Sequence, residues 1–455
     1  MTRLLIDGCE VVATMDDADT EVPGGSILIE DGVVVWVGSG EPPDGARAAD
    51  RLDGRGCVAL PGLINTHHHL NQVLTRALAQ DQGLFGWLVA LYPVWAGLDA
   101  EWERVAARVG LAELALSGCS TTSDHHYVFP ADAGDLLEAE ISAARELGMR
   151  FHACRGSMDL GESDGGLPPD RLVERTDDAL AATEEAVARF HDASPGSMLR
   201  IAVAPCSPFS VTERLMRESA ELARRLGVRL HTHLAETLDE ERHCLERFGR
   251  RPLELMDEWG WVGPDVWFAH GVHLDDKDVR RCAESGTGVA WCPSSNLRLG
   301  SGIAPGRALL DEGAPTGLGV DGSASNDAGN LLAEVRQAML VSRAVGVERG
   351  ISAREALRVA TRGGAAVLGR DDVGSLVPGM RADVAMFPVD GLATAGADVD
   401  AVAALVLAPP ARVRHLLVEG RAVVRDGRLT GADEDEIARE GHRVARRITA
   451  EGAAA

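Results

Sequence analysis

The sequence predicts an α/β fold, a closed (β/α)8 TIM barrel with a small β-sandwich domain built from both chain ends. Three observations lead there. Over residues 57–370, eight short β-rich apolar runs occur, most of them followed by a stretch of helical period. No hairpin signal interrupts that rhythm, and alternation of this kind implies a parallel sheet. The two flanking segments share another texture, short alternating strands with tight turns. Eight units favour a closed barrel over an open sheet.

In chain order, the opening segment reads as strands at 4–6 and 25–30, then Asp31-Gly32 as a hairpin signal, then a strand at 33–37. The barrel runs fall at 57–65, 119–124, 149–156, 199–207, 228–236, 266–272, 286–293 and 315–321. Between the first two, Trp102, Val105, Val109, Ala112 and Leu116 step by three and four, which is one apolar helix face. Past the barrel, strands at 381–387, 413–419 and 421–424 return, with Gly420 and Asp426-Gly427 at the turns. The expected domains are therefore 1–56 with 371–430 as the β-sandwich, 57–370 as the barrel, and 431–455 as a terminal helix and tail. That helix is Arg/Glu-rich over 434–450, and its Gly/Ala tail is expected to fray.

Composition narrows the partners. The 455 residues carry 45 Lys+Arg against 70 Asp+Glu, a formal charge of −25, and Lys277 is the one lysine. Such a surface repels phosphate backbones and anionic lipid, which argues against nucleic acid and membrane as partners. No apolar run reaches the ~18 residues of a membrane span, and the N-terminus lacks a signal-peptide core. The eight cysteines are scattered with no C-x-x-C pair, so buried, reduced thiols and a cytoplasmic location are expected. The oligomeric state is left open, a homo-oligomer included.

The chemistry gathers at the ends of the barrel runs, where such barrels carry their catalytic groups. Pro61-Gly-Leu-Ile-Asn-Thr-His67-His68-His69 closes the first run. Residues two apart on a strand share a face, so His67 and His69 converge and His68 points to the outer layer. A convergent imidazole pair suits Zn²⁺. The fifth run offers His231, His233 and Glu236, the sixth His270 and His273, and the eighth Asp321. An aspartate closing an apolar strand suits a metal better than a core. Both strand-five histidines face inward. His233 is nearer the mouth, with Glu236 over it on the loop, and His231 lies deeper.

At these residues the chain resembles the amidohydrolase superfamily, in its branch of cytosine deaminases, guanine deaminases and triazine hydrolases. The motifs are Pro61–His69, His233-Leu-Ala-Glu236, His270 and Val320-Asp321-Gly-Ser, and the likeness covers nearly the whole chain. More narrowly, Leu74-Thr-Arg76, Leu84-Phe-Gly-Trp87, Ser117–His125, Arg155-Gly-Ser-Met and Gly319–Asn326 look like the 8-oxoguanine deaminases. The resemblance implies His67, His69, His233 and Asp321 as metal ligands, Glu236 as proton shuttle, and His270 beside the attacking hydroxide. Asp321 would also take the water proton. Gln72, Trp87, Arg155 and His270 are the expected substrate contacts, and the substrate a small heterocyclic base. Binuclear members of the superfamily use a strand-four lysine, which 199–207 lacks, so one Zn²⁺ per chain is expected, with Fe²⁺ second. Two departures stand out. Asn65 replaces a common Asp, and Trp291 stands where close relatives usually have His, which predicts an altered pocket wall.

The implied reaction is hydrolytic deamination of an amino-oxo purine or pyrimidine, 8-oxoguanine first and isocytosine second. N-alkylamino hydrolysis of a hydroxytriazine is the competing enzyme reading. A non-catalytic scaffold is the remote one, opposed by the intact residue set.

Overall fold

The computed structural model describes residues 2–43 and 49–452, so the expected fraying of the Gly/Ala tail at 453–455 lies outside the described residues. The barrel strands are β1 (Leu63–Asn65), β2 (Cys119–His126), β3 (Arg150–Ser157), β4 (Leu199–Pro205), β5 (Arg229–Leu234), β6 (Val266–His270), β7 (Gly288–Trp291) and β8 (Thr316–Leu318). Each pairs in parallel with the next, and Leu318 opposite Asn65 closes the ring. It is a TIM barrel.

The first predicted run divides in two. Cys57–Pro61 is not a barrel strand; it lies antiparallel to Val384–Pro388 in a seven-stranded sheet. The chain crosses between sheets at Gly62, whose N–H bonds to the Asp383 carbonyl. A Cβ there would stand 2.3 Å from Ser120 Oγ, so glycine is what lets the two layers approach. Continuous apolarity hid this break, because both halves are buried.

The seven-stranded sheet draws on both chain ends: Val11–Ala13, Glu21–Pro23, Cys57–Pro61, Val384–Pro388, His415–Val418, Arg421–Arg425 and Arg428–Leu429. A four-stranded sheet of Arg3–Asp7, Ser26–Glu30, Val33–Gly38 and Asp50–Asp53 packs on it through Ile6, Ile27, Val34, Ala59, Val384 and Leu417. Its hairpin turns at Asp31-Gly32, with φ of 47° and 79°, the left-handed pair that a two-residue turn between twisted strands requires. Arg150, at the start of β3 and fully buried, joins barrel to sheet. Its guanidinium pairs with both oxygens of Asp383 at 3.0 Å and also reaches Glu419. Removing one partner of such a buried pair typically costs about 3–5 kcal/mol.

Three helices matter for the site: α1 (Leu84–Trp95), α2 (Ala100–Leu116) and α3 (Leu136–Leu147). Asp99 caps α2 by accepting from Trp102 N–H at 2.7 Å, and the predicted stripe buries Trp102, Val105 and Ala112. The terminal helix Glu434–Gly452 docks Val444 and Ile448 into the cluster that holds Trp87, Leu88 and Trp95 of α1. Among the described residues no helix is long and apolar enough to cross a membrane.

Candidate active site

The β1 exit, β5, β6 and the β8 exit bring His67, His69, His233, His270 and Asp321 together at the C-terminal mouth of the barrel, all of them buried. Two of these residues sit in left-handed backbone, His270 at φ 74° and Asp321 at φ 62°. Such conformations cost of order 1–3 kcal/mol in side-chain-bearing residues and concentrate where geometry serves function. The strand end holds Asp321 in place: its N–H donates to the His67 carbonyl, and its Oδ1 accepts from Gly322 N–H at 2.7 Å.

The tautomers of the donor set follow from its hydrogen bonds. His69 commits its Nδ1–H to the His125 carbonyl at 2.7 Å, and His233 commits its own to the Cys206 carbonyl at 2.6 Å. His231 donates from Nδ1 to the Trp267 carbonyl at 3.0 Å, so its Nε2 accepts from His67 Nδ1 at 2.8 Å. His67, His69 and His233 therefore each turn an Nε2 lone pair inward. His69 Nε2 and His233 Nε2 face each other at 3.1 Å, and His67 Nε2 is buried without a hydrogen-bond partner. Asp321 Oδ1 stands 3.3 Å from His67 Nε2 and 3.4 Å from His69 Nε2. Four acceptors converging with no proton between them are stable around a cation. Burial supports this by keeping the rings neutral, His67 well below its ordinary value and His233 down to about 3. The residues fit a zinc-type site.

Side chains behind the donors orient them, as at most metal sites. His231 serves His67. Ser295 and Ser325 donate to Asp321 Oδ2 at 2.5 and 3.2 Å, leaving Oδ1 for the metal side. His270 donates from Nδ1 to Asn296 Oδ1 at 3.0 Å, and its Nε2 lies 3.6 Å from Glu236 Oε2. Burial drives the Glu236 carboxyl up to about 7. Burial alone would lower His270, but the Glu236 and Asp321 carboxylates outweigh it and raise the imidazole.

Above the donors lies a cleft of about 410 Å³, counting its open mouth, floored by His69, His233, Glu236, His270 and Asp321. Its walls include Gln72, Trp87, Tyr127 and Phe209. Gln72 is buried with both amide atoms unpaired, the Tyr127 hydroxyl being its polar neighbour. Trp87 donates to the Ala324 carbonyl and turns its ring to the cleft.

Two expectations fail. Arg155 is not a cleft residue: its guanidinium is engaged by both oxygens of Glu174 at 2.7 and 2.6 Å and stacks on Phe129 at 3.9 Å. Trp291 does not alter the pocket wall, since it is buried outside the cleft, between the barrel strands and the helix Gly306–Glu312, against Gly306. Sequence reasoning missed Tyr127, Ser295, Ser325 and Asn296. Ser325 lies inside the Gly319–Asn326 motif and Tyr127 two residues past Ser117–His125, but nothing in their spacing tells which neighbour they contact. His125 also lacked a role; its ring stacks on His233 at 4.7 Å and bonds to the Ala204 carbonyl through Nε2.

On the outer face of β2, Asp124 and His126 meet Glu103 of α2 and Glu140 of α3, all fully buried. Burial, then the Asp124 charge, raises the Glu103 and Glu140 carboxyls well above the usual range. A protonated Glu140 donates to Asp124, which in turn accepts from Leu70 N–H at 2.6 Å beside the His67–His69 segment. A carboxyl with a raised folded-state pKa binds more protons folded than unfolded, so its contribution to stability falls as pH rises above ~4.3. Glu140→Gln keeps the donor without the titration. Its Tm relative to wild type is therefore expected to rise between pH 5 and pH 8, by a few degrees at the upper end. A difference that shrinks with pH would contradict the assignment.

Comparison with known proteins agrees with this geometry. The amidohydrolase family model matches residues 58–423. The chain is 50% identical over 437 residues to an 8-oxoguanine deaminase of Pseudomonas aeruginosa, covering 95% of this chain and 96% of that protein. It is 38% identical to a hydroxydechloroatrazine ethylaminohydrolase of Pseudomonas sp. (strain ADP), with 98% and 96% covered. Among solved structures, an Arthrobacter aurescens atrazine chlorohydrolase complexed with zinc superposes with a TM-score of 0.92 at 36% identity, with 97% of this chain and 100% of that one covered.

Proposed function

Because the chain belongs to the amidohydrolase family, we propose that it is a zinc-dependent deaminase converting 8-oxoguanine and water to urate and ammonia. The observation that carries this reading is the pairing of two features in one cleft. Four lone-pair donors converge beneath it, three of them in its floor, and an unpaired carboxamide, Gln72, waits on its wall. The half-identical deaminase supports the choice of base.

His67, His69, His233 and Asp321 would hold the ion. When bound, Zn²⁺ supplies a water whose pKa is lowered toward ~7. The rest is the work of this chain. Asp321 takes the water proton on its carboxylate, and Glu236, with a carboxyl near neutrality, delivers a proton to the substrate ring nitrogen. That protonation makes the adjacent amidine carbon electrophilic. His270, raised by the two carboxylates beside it, stabilises the charge that develops at the attacked carbon. Glu236 recovers a proton from the hydroxyl of the tetrahedral adduct and passes it to the leaving amine, and the proton held on Asp321 then restores Glu236. Gln72 pairs with the lactam edge, and Trp87 packs on the ring plane.

One ion per chain follows from one complete donor set and a β4 strand without lysine. Purified protein is expected to carry about one equivalent of transition metal by elemental analysis. It should release ammonia from 8-oxoguanine, lose that activity on chelation and regain it with Zn²⁺. Two full equivalents per chain would refute the single-ion site, and metal-loaded protein inert toward 8-oxoguanine would refute the substrate. The 38% identical aminohydrolase makes hydroxytriazines the control in the same assay.

A further inference from the structure

The loop that carries Glu236 is held by a residue no motif singles out. Leu238–Phe248 begins with Thr237-Leu-Asp-Glu240, and Thr237 caps it by accepting from Glu240 N–H at 3.2 Å. That is the sequence of a capping box, in which the glutamate ordinarily returns to the N–H of the capping residue. Glu240 passes over it. Its Oε1 accepts from Ala235 N–H at 2.8 Å and its Oε2 from Glu236 N–H at 2.9 Å. The carboxylate is 1% exposed, and among the described residues it has no ion-pair partner. Between the two amides, Ala235 stands at φ 52°, a strained conformation for alanine. The Ala235 carbonyl is tied in turn to His273 N–H at 2.9 Å, so the loop is gripped from both sides.

We propose that Glu240 is a positioning residue for the proton-transfer step, its carboxylate fixing the Ala235–Glu236 backbone so that the Glu236 side chain meets His270 and the substrate ring. The proposal rests on the deaminase reading above for the step it serves. A helix cap would leave the catalytic loop indifferent to this carboxylate. Two consecutive N–H donors on one buried carboxyl group instead make the loop geometry depend on both oxygens.

Glu240→Gln is the isosteric test, since the amide keeps one acceptor and turns an NH₂ donor toward the other N–H. In full-length, zinc-loaded protein, turnover on the fastest substrate of a heterocyclic amine panel is expected to fall at least tenfold. KM should stay within threefold and metal content should be unchanged. Amide exchange followed by mass spectrometry should quicken at Ala235 and Glu236. Glu240→Asp, which keeps both acceptors on a shorter arm, should show the same split at smaller amplitude, and it stands in if the Gln variant does not fold. Unchanged kcat with unchanged exchange at those two amides would overturn the proposal, and so would a lowered Tm with kcat per bound metal intact. If wild type is inert toward 8-oxoguanine, the functional reading falls, while exchange at Ala235 and Glu236 still decides the clamp.

Discussion

Glu236→Gln is expected to retain its metal and lose at least ~10²-fold in turnover, the scale of a positioned acid–base group. The side chain is buried, lies 3.6 Å from His270 and stays outside the cluster of converging Nε2 atoms. Glutamine fills the same volume and cannot carry a proton between ring nitrogen and leaving amine. With the carboxyl raised to about 7, the proton-bearing form declines as pH rises through that value. The wild-type profile of kcat/KM should therefore fall on the alkaline side near pH 7, and the variant's residual activity should lack that limb. Ammonia release per bound zinc, measured across pH, reads both. Near-normal kinetics in the variant would remove Glu236 from the mechanism.

The second large effect is discrimination among bases. A site built to pair with a lactam edge rejects analogues lacking it, by up to ~10⁴–10⁵, because its own buried polar atoms are left unpaired. Gln72 meets that description, with donor and acceptor both buried and unmatched by protein. Bases whose amino-bearing carbon adjoins a lactam N–H and C=O, 8-oxoguanine and isocytosine, should exceed adenine and cytosine in kcat/KM by at least ~10³. Gln72→Ala should erase most of that preference. Gly322→Ala offers an independent route, since a Cβ there would stand 1.8 Å from Gln72 Oε1 and push the amide aside. Comparable kcat/KM for adenine and 8-oxoguanine, or unchanged preference in Gln72→Ala, would overturn the pairing.

The barrel was legible because eight apolar runs alternating with helical period have few other ways to bury their faces. The strand ends were legible too. His67, His69, His233, His270 and Asp321 come together at one mouth because strand periodicity dictates which side each faces, and parallel strands end on one side of the barrel. His231 behaves as its depth along the strand suggests, behind His67. Gln72 and Trp87 also line the cleft expected of them.

What the chain could not disclose by pattern is which side chain answers which across long sequence separations. Arg155 reads as a cleft cation until Glu174 and Phe129 are seen to claim it, and Trp291 reads as pocket wall until Gly306 opens a core slot for it. Gly62 divides one apolar run between two sheets because Ser120 comes within reach, a contact 58 residues away in sequence. Ser295 and Ser325 on Asp321, and Asn296 on His270, likewise depend on loop paths. Periodicity encodes direction relative to a residue's own strand or helix, so the sequence by itself determined the barrel and the set of groups at its mouth. Hydrogen-bond partnership depends on distances between elements, and packing sets those distances, so only the tertiary structure decided tautomers, orientation and which buried charges are already spent.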